Sequence, residues 1–204
     1  MKYLDCEQGS EEWFRARLGI PTASQFGNII TPTGKASSSA DRYMRQLIAE
    51  WLAGVPIDNE QSSFWMERGS ELEDEARSRY EFDTGNEVEQ VGFIVADGYG
   101  CSPDGMVGTD GMLEIKCPKA STMVEYYCTD KAPRKYAPQL QGQLWVAQRQ
   151  WVDFFAYHPK LHPIRRRVVR DDDYIAKMEE LVMAFNAKMA ETCIDLAGLR
   201  MKEE

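Results

Sequence analysis

Apolar residues recur at helical spacing in the first third of the chain and again near its C-terminal end. In residues 40–53, Met44, Leu47 and Trp51 fall on one side of a helix, because 3.6 residues make one turn. A second apolar stripe runs through residues 174–189 and predicts a long final helix. A longer helical segment is predicted at residues 62–82, and shorter ones are predicted at residues 10–19, 122–128 and 136–148.

A different pattern begins near Glu87, where β-branched and aromatic residues are separated by glycine and aspartate turns. Helices, a cluster of strands, one more helix and two further strands predict an α/β or α+β fold with a central mixed β-sheet flanked by helices. Because 204 residues are close to the usual size of one domain, residues 1–204 are expected to form a single domain. The predicted strands lie at residues 88–95, 105–107, 112–116, 151–157 and 164–169.

Composition narrows the possible functions. The chain has 33 acidic and 24 basic residues, and its net charge of −9 argues against a protein that is basic over its whole surface and coats the phosphate backbone of a nucleic acid. It does not exclude a local basic face. No apolar run is long enough for a membrane span and no signal peptide is recognisable, so we expect a cytoplasmic protein without a membrane partner. Five scattered cysteines predict free thiols, and two histidines are too few for a His-rich metal centre.

The most informative stretch follows the pattern P-D, nine residues, then E-x-K. Asp104 lies next to a predicted strand, and Glu114 and Lys116 lie two residues apart on the next strand. Because side chains alternate along a strand, Glu114 and Lys116 point to one face and Ile115 to the other. Two carboxylates beside an ammonium group suit Mg²⁺ or Mn²⁺, which prefer oxygen ligands. The alternative is a surface ion pair between Glu114 and Lys116 on an edge strand, with Asp104 in a turn.

Two further segments carry polar residues at helical positions. Most charges in residues 68–77 are explained by ordinary i,i+4 pairs on a solvated helix face, such as Glu73 with Arg77, although one carboxylate of this segment is a candidate ligand for a second metal. Gln139 and its neighbours Gln141 and Gln143 either support the site or are simply exposed helix residues. By themselves, these glutamines favour the second interpretation.

Together, these blocks resemble the PD-(D/E)XK nuclease superfamily, and within it the bacteriophage lambda exonuclease and YqaJ-type viral recombinase nucleases. The similarity covers most of the chain. The matching blocks are Glu7-Gln8-Gly9 with Trp13, Arg17-Leu18-Gly19, Thr22-Ala23-Ser24, Gly69 with Glu73 and Ala76-Arg77, Cys101 to Gly105, Glu114-x-Lys116-Cys117-Pro118, Gln139-x-Gln141, and the predicted terminal helix.

The resemblance implies a PD-(D/E)XK nuclease-like fold and two divalent ions, Mg²⁺ with Mn²⁺ as a substitute. Asp104, Glu114 and the main-chain carbonyl of Ile115 would bind one ion, and Glu73 would complete the site of the second. These ligand roles come from the similarity and not from the spacing alone.

The resemblance also assigns roles around the ions. Lys116 would position the attacking water, with Gln139 supporting it. Arg17, Ser24 and Ser102 would hold the 5′-terminal phosphate, and their chemistry suits this, since guanidinium and hydroxyl groups donate to phosphate oxygens. The alternative for Arg17 is an ordinary residue of an amphipathic helix.

The function implied is 5′ to 3′ digestion of one strand from 5′-phosphorylated ends of double-stranded DNA, which leaves 3′ single-stranded tails. A homotrimeric ring, a partner single-strand annealing protein and a bacterial or phage-infected cytoplasm are implied as well. Within this picture, basic residues clustered at 131–135 and 165–170 are expected partly to face the duplex. The alternatives are a structure-specific endonuclease and a non-catalytic DNA-binding recombination protein.

Overall fold

The computed structural model describes residues 1–56 and 63–200. The helices are α1 (Glu11–Arg17), α2 (Ala40–Ala53), α3 (Ser63–Thr84), α4 (Ala120–Tyr127), α5 (Ala137–Val146) and α6 (Asp172–Arg200). The strands are β1 (Lys2–Leu4), β2 (Val88–Glu89), β3 (Phe93–Ala96), β4 (Tyr99–Cys101), β5 (Gly105–Val107), β6 (Gly111–Lys116), β7 (Trp151–His158) and β8 (Leu161–Val169). The predicted start of a helix at Ser62 lies outside the described residues.

The strands form two sheets. The larger sheet has the order β2-β5-β6-β7-β8, with β6 and β7 parallel and the other neighbours antiparallel, so the predicted mixed sheet is confirmed. A smaller antiparallel sheet has the order β1-β3-β4 and was not expected from the sequence. The predicted strand at 88–95 is divided between the two sheets.

The middle strand β6 is buried on both faces. Met112 belongs to an apolar cluster with Leu140 and Leu144 of α5, whereas Leu113 belongs to a second cluster with Tyr80 of α3. Neighbouring side chains of a strand point to opposite faces of the sheet, so the two clusters lie on opposite faces. Helix α5 therefore covers one face of β6, and α3 covers the other. The fold therefore places Glu114, which follows Leu113 in the chain, on the face toward α5.

Two segments differ from the periodicity prediction. The helix predicted at 136–148 begins with a 3-10 turn, Arg134–Tyr136, continues as α5 and stops at Val146. A second 3-10 turn, Ala23–Asn28, has no helical apolar pattern, but Phe26 is fully buried and α5 packs against the turn. Tertiary packing stabilises this short element, whose local pattern alone does not predict it.

Hydropathy and cysteine pairing complete the description of the fold. Within the two described stretches, no helix combines the length and the apolar character needed to span a membrane. No disulfide joins any of the five cysteines, all of which lie among the described residues.

Candidate active site

The centre of the site lies where β5 and β6 pair. Gly105 is opposite Leu113 in this antiparallel ladder, so the neighbouring Asp104 lies across from Glu114. Asp104 Oδ2 accepts a hydrogen bond of 2.5 Å from the Ile115 backbone N–H. The P-D and E-x-K motifs, ten residues apart in sequence, are therefore brought together by one strand pairing.

Glu114 is held by side chains from its own strand and from α5. Its Oε1 accepts from Lys116 Nζ and, at 2.5 Å, from Gln139 Nε2, and its Oε2 accepts from Gln143 Nε2 at 2.5 Å. The prediction that Glu114 and Lys116 share a face is confirmed. The alternative of a surface ion pair on an edge strand is wrong, because β6 is central and Glu114 is only 1% exposed.

The carboxylate of Glu114 disfavours the charge on the neighbouring Asp104. Burial and the adjacent Glu114 raise the pKa of Asp104 well above its ordinary value, despite the opposing effect of Lys116. Burial alone would lower the pKa of Lys116, but the attraction of Glu114 and Asp104 outweighs it, so the pKa is raised. Lys116 is thus held as a cation between two acids.

Glu73 approaches the same cleft from α3. It lines a cavity of about 420 Å³ together with Asp104, Arg77 and Gln90. Its Oε1 accepts from Arg77 Nη2 at 2.8 Å, while Arg77 Nη1 donates to Asp74 at 2.7 Å. Burial raises the pKa of Glu73, Arg77 opposes the shift, and Glu114 adds to it. Arg77 and Asp74 are therefore an ordinary pair on the surface of the helix. Glu73 also pairs with Arg77, but it lies beside Asp104 in the cleft as well. The side chains of residues 68–71 lie outside the described residues.

The donor chemistry of this cleft fits a divalent cation. Asp104, Glu114 and Glu73 offer the oxygen ligands that Mg²⁺ and Mn²⁺ prefer, and a cation would offset the repulsion that raises the pKa of Asp104. Among the described side chains, however, no three acidic, histidine or cysteine residues are already gathered as a ligand set. The metal-binding role of these residues, and of the Ile115 carbonyl, stays a prediction.

A second polar cluster adjoins the carboxylates. Ser102 Oγ accepts from Trp13 Nε1 at 2.9 Å and from Arg17 Nη1 at 3.2 Å, and Arg17 Nη2 contacts Thr22 Oγ1 at 3.4 Å. Thr22 Oγ1 in turn lies 3.3 Å from Ser24 Oγ. The structure thus joins all three residues predicted to hold the 5′ phosphate.

The Arg17 guanidinium is held rigidly and has no acidic partner in the described part of the chain. It lies 3.9 Å above the Trp13 ring, and the Ser10 hydroxyl caps the helix α1 that carries both residues. Burial lowers the pKa of Arg17. A partly desolvated guanidinium that bonds only to hydroxyl groups is suited to receive an anion. Because Ser102 is two residues before Asp104, one loop connects this anion pocket with the acidic centre.

Sequence reasoning missed three contributors to these clusters. Trp13 and Thr22 belong to matching blocks but were assigned no role, and their long-range contacts have no local signal. Gln143 did have a signal, since it follows Gln139 by one helical turn and faces the same carboxylate. Gln141 faces elsewhere and bonds to the Val169 carbonyl and the Asp171 N–H.

The two basic segments differ in their surroundings. In the cluster at 165–170, the half-exposed Arg167 donates two hydrogen bonds, of 2.8 and 2.9 Å, to the fully buried Asp153, so this arginine already has an acidic partner. The segment 131–135 instead adjoins the site. Lys135 Nζ lies 4.9 Å from the centre of the Tyr136 ring, and Lys116 Nζ lies 5.6 Å from the same ring.

The fold that carries these two clusters is a nuclease fold. The chain belongs to the YqaJ-like viral recombinase domain family, whose sequence model matches residues 12–150. It is similar to an alkaline exonuclease (LHK-Exo) from Laribacter hongkongensis, with 38% identity, a TM-score of 0.87, and coverage of 96% of this chain and 100% of the other.

Two further solved structures are similar. LHK-Exo in complex with dAMP is 40% identical over the same shares of both chains, with a TM-score of 0.87. A phage related exonuclease from Haemophilus somnus 129PT has the same fold at 13% identity, with a TM-score of 0.64 and coverage of 96% of this chain and 97% of the other. None of the curated proteins matches the chain significantly.

Proposed function

We propose that residues 1–204 form one nuclease domain that digests double-stranded DNA from 5′-phosphorylated ends, in the 5′ to 3′ direction, and leaves 3′ single-stranded tails. The observation that carries the proposal is the junction of two clusters on one loop. Ser102 belongs to the anion pocket around Arg17, and Asp104, two residues later, belongs to the acidic centre with Glu114 and Lys116.

This junction supports an exonuclease over an enzyme that cuts internally. A terminal phosphate has an extra negative charge compared with an internal phosphodiester, and the partly buried Arg17 is placed to bind that charge. An end held at Arg17 brings the next phosphodiester toward Asp104. The similarity to an alkaline exonuclease supports the same assignment. So does that protein's complex with dAMP, because deoxynucleoside monophosphates are the product class that such digestion releases.

The chemistry proposed is hydrolysis with two divalent ions, Mg²⁺ or Mn²⁺, held by Asp104, Glu114, the Ile115 carbonyl and Glu73. When bound, such ions lower the pKa of a water and stabilise the charge that develops on the phosphate. Lys116 orients the attacking water, and its positive charge opposes the growing negative charge in the transition state. The water loses a proton to solvent as its oxygen bonds to phosphorus, the bond from phosphorus to the 3′ oxygen breaks, and that oxygen takes up a proton from solvent.

The remaining parts of the proposal concern the assembly. Lys131, Arg134 and Lys135 lie in a segment next to the site and would bind the duplex backbone. We also propose a homotrimeric ring around DNA, a single-strand annealing protein that loads on the 3′ tail, and action in a bacterial or phage-infected cytoplasm; the resemblance to the lambda exonuclease and YqaJ-type nucleases supports these proposals.

The test is digestion of a 5′-phosphorylated linear duplex and of a closed circle of the same sequence. We expect Mg²⁺-dependent degradation of the linear DNA alone, abolished by chelation and by Lys116→Ala or Asp104→Ala in proteins that remain folded by circular dichroism. Equal cutting of the circle would favour a structure-specific endonuclease. DNA binding without hydrolysis, under every metal condition, would favour a non-catalytic recombination protein.

A further inference from the structure

Helix α5 directs two amides to the two oxygens of one carboxylate. Gln139 donates to Glu114 Oε1, and Gln143, one turn later, donates to Oε2, each at 2.5 Å. Lys116 also donates to Oε1. In the described part of the chain, Glu114 Oε1 therefore accepts from two donors, while Glu114 Oε2 accepts from one, Gln143.

This distribution makes the orientation of the carboxylate plane depend on Gln143. The last torsion of a glutamate side chain has a broad energy minimum, so the backbone does not fix it. Two donors at Oε1 hold the position of that atom but leave rotation about it possible. A bond at Oε2 stops the rotation, and Gln143 provides that bond.

Gln143 is poorly explained as a stabilising core residue. Its side chain is 1% exposed, and its carbonyl Oε1 is buried without any hydrogen-bond partner. Turning the amide over would not help, since a carboxylate only accepts and the NH₂ group must face Glu114. A buried unpaired carbonyl is destabilising, and an apolar residue of similar size would avoid that loss.

Gln141 on the same helix shows what a structural glutamine looks like in this protein. It is 6% exposed, its Nε2 donates to the Val169 carbonyl at 2.9 Å, and its Oε1 accepts from the Asp171 N–H at 2.9 Å. Both ends of this amide are used to join α5 to the chain between β8 and α6. Gln141 is therefore a matched control for Gln143.

We propose that Gln143 is a positioning residue, which orients Glu114 so that its carboxylate is ready to bind a divalent cation. The inference rests on the proposed function, in which Glu114 is a metal ligand. Hydrogen-bond partners that orient a metal ligand change metal affinity about 10–100-fold when they are removed. A purely structural residue would change stability and leave metal affinity unaltered.

The experiment is isothermal titration of the DNA-free protein with Mn²⁺, comparing wild type, Gln143→Met, Gln141→Met and Asp104→Ala. We expect Gln143→Met to weaken Mn²⁺ binding about 10–100-fold, Gln141→Met to bind as wild type does, and Asp104→Ala to lose the site. Thermal melting of each metal-free protein reports stability separately. Gln143→Asn, which keeps the amide but is one methylene shorter, is the second variant and should also bind weakly.

Each outcome has one meaning. Wild-type Mn²⁺ affinity in Gln143→Met, with the site lost in Asp104→Ala, would overturn the positioning role and leave the proposed function intact. Equal weakening in both glutamine variants would overturn it too, because the loss would then follow general damage to α5. Wild type that binds no Mn²⁺, or Asp104→Ala that binds normally, would instead refute the metal site and the proposed function.

Discussion

Asp104 and Glu114 make the metal-free site a source of instability, and Asp104→Asn should relieve it. Asparagine has nearly the same shape as aspartate, and its side-chain oxygen can still accept from the Ile115 N–H. The substitution removes one of two neighbouring negative charges. We therefore expect the variant to be inactive and, without metal, more stable than wild type.

The size of the effect follows from the raised pKa of Asp104. Each pKa unit by which folding raises an acid costs about 1.4 kcal/mol at a pH where the acid is ionised. Part of the gain is offset, since a neutral acceptor forms a weaker bond to the Ile115 N–H by about 1 kcal/mol. We therefore expect a net stabilisation at pH 7, and in a chain of this size each kcal/mol raises the Tm by about 2–4 °C.

The sign of the pH dependence is fixed by the direction of the shift. Below the unfolded pKa of an aspartate, about 3.9, the acid is protonated in both states and the penalty is absent. As the pH rises through that value toward the raised folded pKa of Asp104, wild type loses stability, and above the folded pKa the loss is constant. The advantage of Asp104→Asn should therefore grow from pH 5 toward pH 8.

Urea unfolding in EDTA across that pH range measures the difference. Asp41→Asn is the control with the opposite sign, because Lys188 lowers the pKa of this exposed carboxylate and neutralising it should bring no gain. Adding Mg²⁺ should stabilise wild type more than Asp104→Asn. A variant that is less stable than wild type at every pH, or a difference that does not change with pH, would refute the reasoning.

Three other substitutions test separate parts of the structure. Arg17→Gln should slow digestion of 5′-phosphorylated ends to the rate on 5′-hydroxyl ends, as measured with paired substrates, because the anion pocket loses its charge; a preserved preference would contradict it. Asp153→Ala should lower the free energy of unfolding, measured in urea, by about 2–4 kcal/mol. The buried part of the Arg167 guanidinium would lose its acidic partner, whereas its exposed part can bind water instead. Gly142→Ala should cost about 1–3 kcal/mol in the same assay, because a Cβ there would lie 2.5 Å from the Phe26 ring; unchanged stability would contradict that packing.

The acidic centre was predictable because it depends on local geometry. Alternation along a strand is enough to put Glu114 and Lys116 on one face, and a tight turn between antiparallel strands returns the chain to Asp104. The mixed sheet followed in the same way from the order of helices and strands. Helix periodicity likewise anticipated α5, and the one-turn spacing of Gln139 and Gln143 was a signal that both face the same carboxylate.

Contacts between distant segments could not be predicted from patterns. The Trp13 indole reaches Ser102, 89 residues away, and a strand as short as β1 has no periodicity of its own. The partner of a basic residue is equally hidden. Arg167 sits in a run of arginines that suggested a DNA-binding face, yet it binds the buried Asp153 through the pairing of β7 with β8.

The central claim is that an anion pocket at Arg17 directs digestion from the 5′ end, and strand polarity tests it most directly. A linear duplex is prepared with different labels at the two ends of one 5′-phosphorylated strand, and labelled mononucleotides are followed over time in Mg²⁺. We expect the 5′ label to be released first and the 3′ label only after a delay that lengthens with the duplex. Release of the 3′ label first, or of both together, would contradict the account.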